Sequence, residues 1–248
     1  MSAVPRGFYG TDYDDDGNKL PEPGACVVTL DSVRPEHISW LWPGRLPAGK
    51  LVVLDGDPGA GKSTLTLDFA ARVSTGSPWP DRTPCPAGDV LLLSAEDGLA
   101  DTIRPRLDAA GADPSRVHAL TEVITAGDDG ELRSRPPVIP GDLHLAEQVI
   151  TEHGVRLAVI DVLMAYLSGE VNAHKDQDVR RALHQMSGLA ERTGCCILVI
   201  RHLNKSGGPN ALYRGGGSIG IVGAARAAFI AVADPEDDTG RTRVLAPT

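Results

Sequence analysis

The chain has 248 residues, of which 42% are hydrophobic, and this is enough for one large α/β domain with a buried core. Its formal net charge of −9 argues against a basic surface that coats nucleic acid, although a ring-shaped motor can keep a few basic residues inside a channel. No apolar run of about 18 residues is present and no apolar signal segment follows Met1, so we predict a cytosolic protein without a membrane span.

The first 27 residues differ in composition from the rest. Residues 1–27 are rich in Gly, Pro and Asp and show no hydrophobic periodicity, so they are predicted to form a disordered or loosely attached arm. Residues 28–248 show neither a second shift in composition nor an internal repeat. We therefore predict that they form a single domain.

Beyond the arm, short apolar segments alternate with helical patterns. The segments predicted to be strands are 51–54, 90–93, 117–120, 157–160, 196–200 and 227–232. The segments predicted to be helices are 62–74, 99–110, 142–153 and 178–193. A loop or hairpin is expected at 126–141 and a final apolar turn near 244–245. This alternation predicts an α/β fold in which a mostly parallel sheet carries helices on both faces.

A glycine-rich segment follows the first predicted strand and opens the first helix, and it matches G-x-x-x-x-G-K-[ST] at every fixed position. Glycines let successive main-chain N–H groups point at one phosphate, and the helix N-terminus adds partial positive charge. Lys62 is placed to reach the β- and γ-phosphates, and the Ser63 hydroxyl to bind Mg²⁺. The residues predicted to bind ATP are Gly56, Asp57, Pro58, Gly59, Ala60, Gly61, Lys62, Ser63 and Thr64.

Acidic residues follow two other predicted strands. Asp161 comes directly after 157–160, at the strand end where open α/β sheets place ligands, and is predicted to bind Mg²⁺ with Ser63. The next residue, Val162, cannot orient an attacking water. Glu96, which follows strand 90–93, is therefore predicted to be the catalytic base, and Asp97 to cap the following helix.

A histidine stands at the end of a third strand. His202 follows the apolar run 196–200, so it is expected at the same edge of the sheet. There an imidazole can hydrogen-bond the γ-phosphate and sense whether it is present, which makes His202 a catalytic candidate. A purely structural histidine is the alternative.

These segments together resemble the RecA-like ATPases, and among them the RepA-type hexameric replicative helicases. The pieces that carry the resemblance run from about Trp40 to Ala233: LDGDPGAGKST, LLLSAEDGLADTIRPRL, LAVIDVLMAYL, IRHLNKSGG and RGGGSIGIVGAARA. The phosphate-loop pattern occurs in many families, whereas the other segments in this order are more specific.

The resemblance implies a RecA-like P-loop NTPase core in which Glu96, Asp161 and His202 have the roles given above. It also implies a homohexamer with ATP bound between subunits, acting as a helicase in DNA replication together with other replication proteins. A neighbouring subunit would then supply an arginine finger, for which Arg226 is the first candidate and Arg214 the second. A surface arginine without this role is the alternative.

Two features depart from the family pattern. Family members often have Pro after the Mg²⁺-binding Asp, where this chain has Val162. A further strand segment with a basic residue usually follows the point at which this chain ends, at Thr248. The expectation is therefore that the chain is a truncated product or a fragment, with incomplete catalysis between subunits.

Two polar loops are candidates for contact with single-stranded DNA, since such loops line the channel in RecA-like rings. Residues 203–217 contain Lys205, Tyr213 and Arg214, and residues 167–177 contain His174 and Lys175. Cations pair with phosphates and an aromatic ring can stack on a base. The alternative is a pair of surface loops that bind nothing.

Three functions remain open at this point. The first is an ATP-driven motor on single-stranded DNA. The second is a RecA-like ATP-dependent switch or assembly ATPase that does not unwind DNA. A P-loop kinase is the third and is disfavoured, because Glu96, Asp161 and His202 together suit activation of water and sensing of phosphate.

Overall fold

A computed structural model describes residues 28–127, 129–169, 176–203, 220–239 and 242–248. The predicted arm, 1–27, lies outside these residues. The chain divides into two units, Met1–His37 and Ile38–Thr248. In the described part of the first unit, Leu30–Ser32 forms a 3₁₀ turn.

The second unit contains all the strands of the described residues. They are β1 Trp40–Trp42, β2 Leu46–Pro47, β3 Leu51–Gly56, β4 Asp89–Ser94, β5 Val117–Ala119, β6 Val123–Ala126, β7 Leu132–Arg135, β8 Val155–Asp161, β9 Cys196–His202, β10 Ala227–Ala233 and β11 Arg243–Pro247. The α-helices are α1 Lys62–Thr75, α2 Arg104–Ala109, α3 Leu143–His153, α4 Leu163–Tyr166, α5 Asp176–Thr193 and α6 Gly220–Ala224. A π-helical turn, Leu99–Ile103, leads into α2, and a 3₁₀ turn, Pro114–Arg116, leads into β5.

One sheet of seven strands organises this unit, in the order β11-β10-β3-β9-β8-β4-β5. Every neighbouring pair is parallel except β10 and β11, which are antiparallel. The prediction of a mostly parallel α/β sheet is therefore confirmed. Because the strands run in the same direction, the carboxyl ends of β3, β4, β8 and β9 meet at one edge, where Gly56 is paired with His202 and Ser94 with Asp161. We call this the carboxyl edge of the sheet.

Helices cover both faces of the sheet, which explains why its central strands are continuously apolar. On one face Phe69 and Val73 of α1 pack with Val52 and Leu198. On the other face Leu183 and Met186 of α5 belong to the second core cluster. Burying one such side chain contributes about 1.5–3 kcal/mol, so both layers stabilise the sheet that carries the carboxyl edge.

The structure differs from the sequence prediction at three places. The predicted hairpin region forms β6 and β7, which pair antiparallel, earlier in the chain than expected. The helix expected at 99–110 begins as the π-helical turn. The final segment is the strand β11 and not an apolar turn, because β10 offers it a free edge with which it forms an antiparallel ladder from Phe229 to Ala233. In the part of the chain that the structure describes, no helix combines the length and apolarity needed to span a membrane.

Candidate nucleotide-binding site

The phosphate loop between β3 and α1 depends on glycine at three positions. Gly59 and Gly61 have φ angles of 78° and 83°, in the left-handed region that residues with a Cβ rarely adopt. A Cβ built on Gly56 would lie 2.7 Å from the Ala231 carbonyl oxygen. The first N–H groups of a helix have no partner within the helix, so the first turn of α1 can donate to phosphate oxygens.

Lys62 is the buried cation of the loop. Its side chain is folded back, and Nζ donates hydrogen bonds to the carbonyl oxygens of Gly56 and Asp57, both at 2.9 Å. The same ammonium group lies 3.1 Å from Nδ1 of His202. The residue is only 4% exposed, and burial lowers the pKa of Lys62 although nearby carboxylates, first of all Asp161, act to raise it. The lysine thus carries a charge that the site only partly compensates.

Asp161 ends β8 and faces the beginning of α1. Its carboxylate accepts a hydrogen bond from the Ser63 side chain and is 8% exposed. Burial raises the pKa of Asp161, and the nearby Glu96 and Asp97 carboxylates add to that rise. A hydroxyl group hydrogen-bonded to a carboxylate, with further carboxylates nearby, provides oxygen ligands of the kind that Mg²⁺ prefers. The residues present therefore fit this metal.

Glu96 and His202 meet beside Lys62. Nε2 of His202 lies 3.5 Å from Oε1 of Glu96, and the Glu96 side chain is 57% exposed. Because an ammonium group can only donate, Nδ1 of His202 accepts from Lys62, which leaves the proton of a neutral ring on Nε2, toward Glu96. The carboxylate is thus both accessible to water and next to the phosphate-binding lysine.

The structure thus brings Lys62, Ser63, Glu96, Asp161 and His202 together at the carboxyl edge. Asp97 does not cap the following helical segment, whose N-cap is Gly98. Its carboxylate instead accepts a hydrogen bond at 2.9 Å from Arg106, nine positions along the chain. This expectation was wrong.

Of the remaining predicted residues, Arg226 lies away from this site and the others fall mostly outside the described residues. Arg226 is exposed and precedes β10, where its N–H donates to the Leu51 carbonyl at the opposite end of β3. It therefore cannot reach the phosphate loop of its own chain. Arg214 lies outside the described residues, and so do most residues of the two predicted DNA-binding loops, namely 204–217 and 170–175.

Comparisons with known proteins agree with this geometry. A family model described as AAA domain matches residues 19–208. The chain is 25% identical over 174 residues to a protein named DNA repair protein RadA from Bacillus subtilis (strain 168), covering 68% of this chain and 32% of that protein. It is 26% identical over 196 residues to a protein named RecA 1 from Myxococcus xanthus, covering 75% and 49% of the two chains. The chain spans about a third to a half of the length of these relatives.

This chain belongs to the AAA domain family and is a RecA-like P-loop ATPase. RecA-like ATPases in general bind ATP together with Mg²⁺, and the phosphate loop, Lys62 and the Ser63–Asp161 pair fit these ligands. The family assignment confirms the coarser part of the resemblance seen in the sequence.

Two features of this ATPase were missed by sequence reasoning. Directly beneath the loop, Arg201 of β9 donates two hydrogen bonds to the Asp55 carboxylate of β3, at 2.7 and 2.6 Å. Next to the loop, a cleft of about 420 Å³ separates the start of α1 from β11. Its lining includes Thr64, Asp68 and Arg243, and Arg243 Nε would lie 3.9 Å from a Cβ built on Gly61.

The missed features had weak sequence signals. Asp55 directly precedes Gly56 and could have been noticed as a charge inside a buried strand. Arg243 stands at the start of a short apolar run that predicted only a turn. Neither residue could be assigned a partner before the order of the strands was known.

Proposed function

We propose that this RecA-like ATPase hydrolyses ATP as a motor of the replicative-helicase type acting on single-stranded DNA. The observation that carries the proposal is the convergence of five side chains at the carboxyl edge. They supply a phosphate-binding cation, two oxygen ligands for Mg²⁺, an exposed carboxylate and an imidazole, and they are Lys62, Ser63, Asp161, Glu96 and His202.

The roles follow from position and chemistry. Lys62 binds the β- and γ-phosphates, and the N–H groups of the loop hold their oxygens. Ser63 and Asp161 hold Mg²⁺, which when bound neutralises charge on the β- and γ-phosphate oxygens. Glu96 accepts the proton of the attacking water, since its carboxylate is open to solvent and in reach of the loop.

His202 is suited to sense the γ-phosphate, because both the imidazole and the phosphate interact with the ammonium group of Lys62. The ammonium group of Lys62 lies 3.1 Å from Nδ1 of His202. A γ-phosphate competes for the same ammonium group, so its arrival frees Nδ1 and changes the interaction of Nε2 with Glu96. Since His202 ends β9 directly before the predicted DNA loop 203–217, this exchange gives a route from the nucleotide to that loop.

The neighbouring subunit is proposed to complete the site. Arg226 is exposed and distant from its own phosphate loop, as an arginine finger that acts on a neighbour must be. We propose a homohexamer, as the resemblance to the RepA-type helicases implies, with Arg214 as the second candidate for the arginine finger. The cleft of about 420 Å³ beside Gly61 is proposed to hold the base and ribose of ATP, next to Arg243.

A second candidate is an ATP-dependent switch on DNA that does not unwind it. The names of the relatives favour it, since they are a DNA repair protein and RecA. The formal net charge of −9 also favours weak, salt-sensitive contact with DNA. DNA binding by the loops 203–217 and 167–177, and any replication partners, are proposals under either function.

One experiment separates these functions. The oligomeric mass and the ATPase rate are measured with Mg²⁺, with and without single-stranded DNA, and unwinding of a forked duplex is then assayed. A motor gives a six-chain mass, a rate that rises with DNA, and ATP-dependent unwinding. Stimulation without unwinding supports the switch, and ADP formation that requires an added acceptor and releases no free phosphate supports a kinase.

The catalytic role of Glu96 has a separate test. Glu96→Gln is expected to retain ATP binding, because no phosphate contact is lost, and to reduce turnover by about 10²–10⁴-fold, the usual contribution of a general base. Glu191→Gln is the matched control, since this surface glutamate pairs with Lys50 at 2.9 Å and lies outside the site, and it should keep turnover near the unsubstituted rate. Undiminished turnover in Glu96→Gln would contradict the assigned role.

A further inference from the structure

A second cluster of ligating side chains lies at the other end of the sheet. Asp89 begins β4, His118 lies in β5, and His153 is the last residue of α3. One ligand atom from each of the three lies within 4.8 Å of the others. Asp89 and Ser94, at the carboxyl edge, are five positions apart along β4, which at about 3.3 Å per residue is roughly 16 Å. The cluster is thus distinct from the nucleotide site.

Strand pairing and helix packing bring the three residues together. β4 and β5 are parallel, and His118 is paired with Leu91, two residues along from Asp89 on the same face of the sheet. Leu91 belongs to the core that α3 covers, so α3 ends beside this face. Gly154 then turns the chain with a φ of 64° into β8, and this turn leaves the His153 ring over β5.

The donor atoms are arranged as a metal site would need them. Nε2 of His118 lies 2.9 Å from Oδ2 of Asp89, and the rings of His118 and His153 have their centroids 4.0 Å apart. Ligands about 2.1 Å from a tetrahedral ion are roughly 3.4 Å apart. The distance between Nε2 of His118 and Oδ2 of Asp89 therefore has to increase by only about 0.5 Å for an ion to replace the shared proton.

The surroundings orient this donor set. Arg116 donates to the other Asp89 oxygen, Oδ1, at 2.9 Å, which fixes the carboxylate with Oδ2 toward His118, as hydrogen bonds commonly do for a ligating carboxylate. Its guanidinium is partly exposed, with 37% of its side-chain surface accessible, so solvent screens its repulsion of a cation. The carboxyl end of α3 favours positive charge at His153.

We propose that Asp89, His118 and His153 bind a divalent transition-metal ion of intermediate softness, with Zn²⁺ as the preferred ion. Two imidazoles and one carboxylate suit Zn²⁺ better than Mg²⁺ or Ca²⁺, which prefer oxygen ligands only. Three protein ligands leave a fourth position for water or for a group from another molecule. The ion joins β4, β5 and α3 at an edge of the sheet.

The test uses the full chain, stripped with a chelator and saturated with Mg²⁺ and ADP so that the nucleotide site is occupied. Zn²⁺ is titrated by calorimetry, and Co²⁺ is titrated as a spectroscopic probe whose visible absorption reports nitrogen ligands. The unsubstituted chain should bind one Zn²⁺ at micromolar or lower concentration. His153→Ala and Asp89→Asn should weaken that binding by about tenfold or more, since each removes one ligand.

His144→Ala is the matched control, because His144 is another exposed histidine of α3 and lies outside the cluster. It should bind Zn²⁺ as the unsubstituted chain does. His153 is exposed, so its replacement should leave the fold intact, which a thermal melt without metal will check. Equal Zn²⁺ affinity and stoichiometry in His153→Ala and the unsubstituted chain would overturn the proposal, as would absence of micromolar binding in the latter.

Discussion

Two buried cations lie next to each other at the carboxyl edge, and their surroundings are opposite. Arg201 is paired in the sheet with Asp55, and His202, which contacts Lys62, is paired with Gly56. Arg201 and Asp55 form a closed ion pair whose side chains are 1% and 3% exposed. Among the described residues, Lys62 donates to two carbonyl oxygens and an imidazole nitrogen.

This difference separates a charge that serves folding from one that serves a ligand. The Arg201 guanidinium has its charge matched by a carboxylate inside the protein. The Lys62 ammonium is left partly unmatched, and a polyphosphate is the anion whose shape and charge would match it. Breaking the Arg201–Asp55 pair should therefore affect the stability of the fold, and removing the Lys62 charge should affect nucleotide binding.

The largest expected effect comes from breaking the closed pair. Arg201→Met leaves the Asp55 carboxylate buried without its guanidinium, and this costs about 3–5 kcal/mol of the free energy of unfolding. Urea denaturation followed by circular dichroism measures the loss. The double variant Asp55→Leu with Arg201→Met should recover most of it, because an apolar pair of similar volume is often as stable as a buried ion pair.

The outcome can also contradict this interpretation. A loss below about 1 kcal/mol in Arg201→Met would show that solvent reaches the pair and that it behaves like a surface salt bridge.

Replacing Lys62 should weaken ATP binding strongly and change stability little. Lys62→Met is expected to reduce ATP affinity by about 10²-fold or more, since a buried charged donor to the phosphates is lost. The free energy of unfolding should change by less than about 1 kcal/mol, because burial already disfavours this charge, as the lowered pKa of Lys62 indicates. Calorimetric titration with ATP and the same urea experiment give both quantities.

Lys50→Met provides the control for removing a lysine. Lys50 forms an ion pair with Glu191 at 2.9 Å on the surface, with 36% of its side chain exposed, so its removal should leave ATP affinity unchanged and alter stability by about 1 kcal/mol at most. If Lys62→Met instead destabilised the chain as strongly as Arg201→Met, the contrast between the two cations would be lost.

A third ion pair, of intermediate burial, tests how the stabilisation depends on pH. Arg135 donates to both oxygens of Asp142, at 2.6 and 2.8 Å, next to α3. The hydrogen bond from Arg135 lowers the pKa of Asp142 below its ordinary value of 3.8, against the effect of burial. The folded state therefore binds the proton less readily than the unfolded state, so this stabilisation is complete above the ordinary pKa and is lost as pH falls through the lower, folded one.

Asp142→Asn should reduce the free energy of unfolding by about 1.5–3 kcal/mol at neutral pH, the range for hydrogen bonds to charged groups. The value should lie below that for Arg201→Met, because the Arg135 side chain is 40% exposed. Urea denaturation at a series of pH values should show the difference shrinking below pH 3.8. A difference that stays constant down to that range would mean that the charge of Asp142 is not its source.

The contrast between the two cations also shows what could be predicted from the sequence. Lys62, Asp161 and His202 each follow or open an apolar segment, so a parallel sheet was enough to place them at one edge. The Asp55–Arg201 pair could not be predicted, since it joins residues 146 positions apart that become neighbours only because β3 and β9 are adjacent. The cluster of Asp89, His118 and His153 depends in the same way on which strands and helices are neighbours.

Arg243 is the clearest case of a residue whose position depends on tertiary context. Its segment has little strand propensity by itself, and it becomes β11 because β10 lies at the edge of the sheet and accepts it. The register pairs Arg243 with Ala233, at the end of β10 that borders the phosphate loop. A short terminal sequence could not reveal this pairing.

The smallest predicted effect follows from that position. Arg243→Ala should raise the KM for ATP by about two- to tenfold with little change in kcat, because an exposed cation beside the cleft contributes about 0.4–1.4 kcal/mol to binding. Arg45→Ala is the control, since Arg45 is a partly exposed arginine that contacts Asp81 at 2.8 Å and does not line the cleft. A kcat that falls while KM stays constant would place Arg243 with the groups that act on the γ-phosphate and not with those that bind the nucleoside.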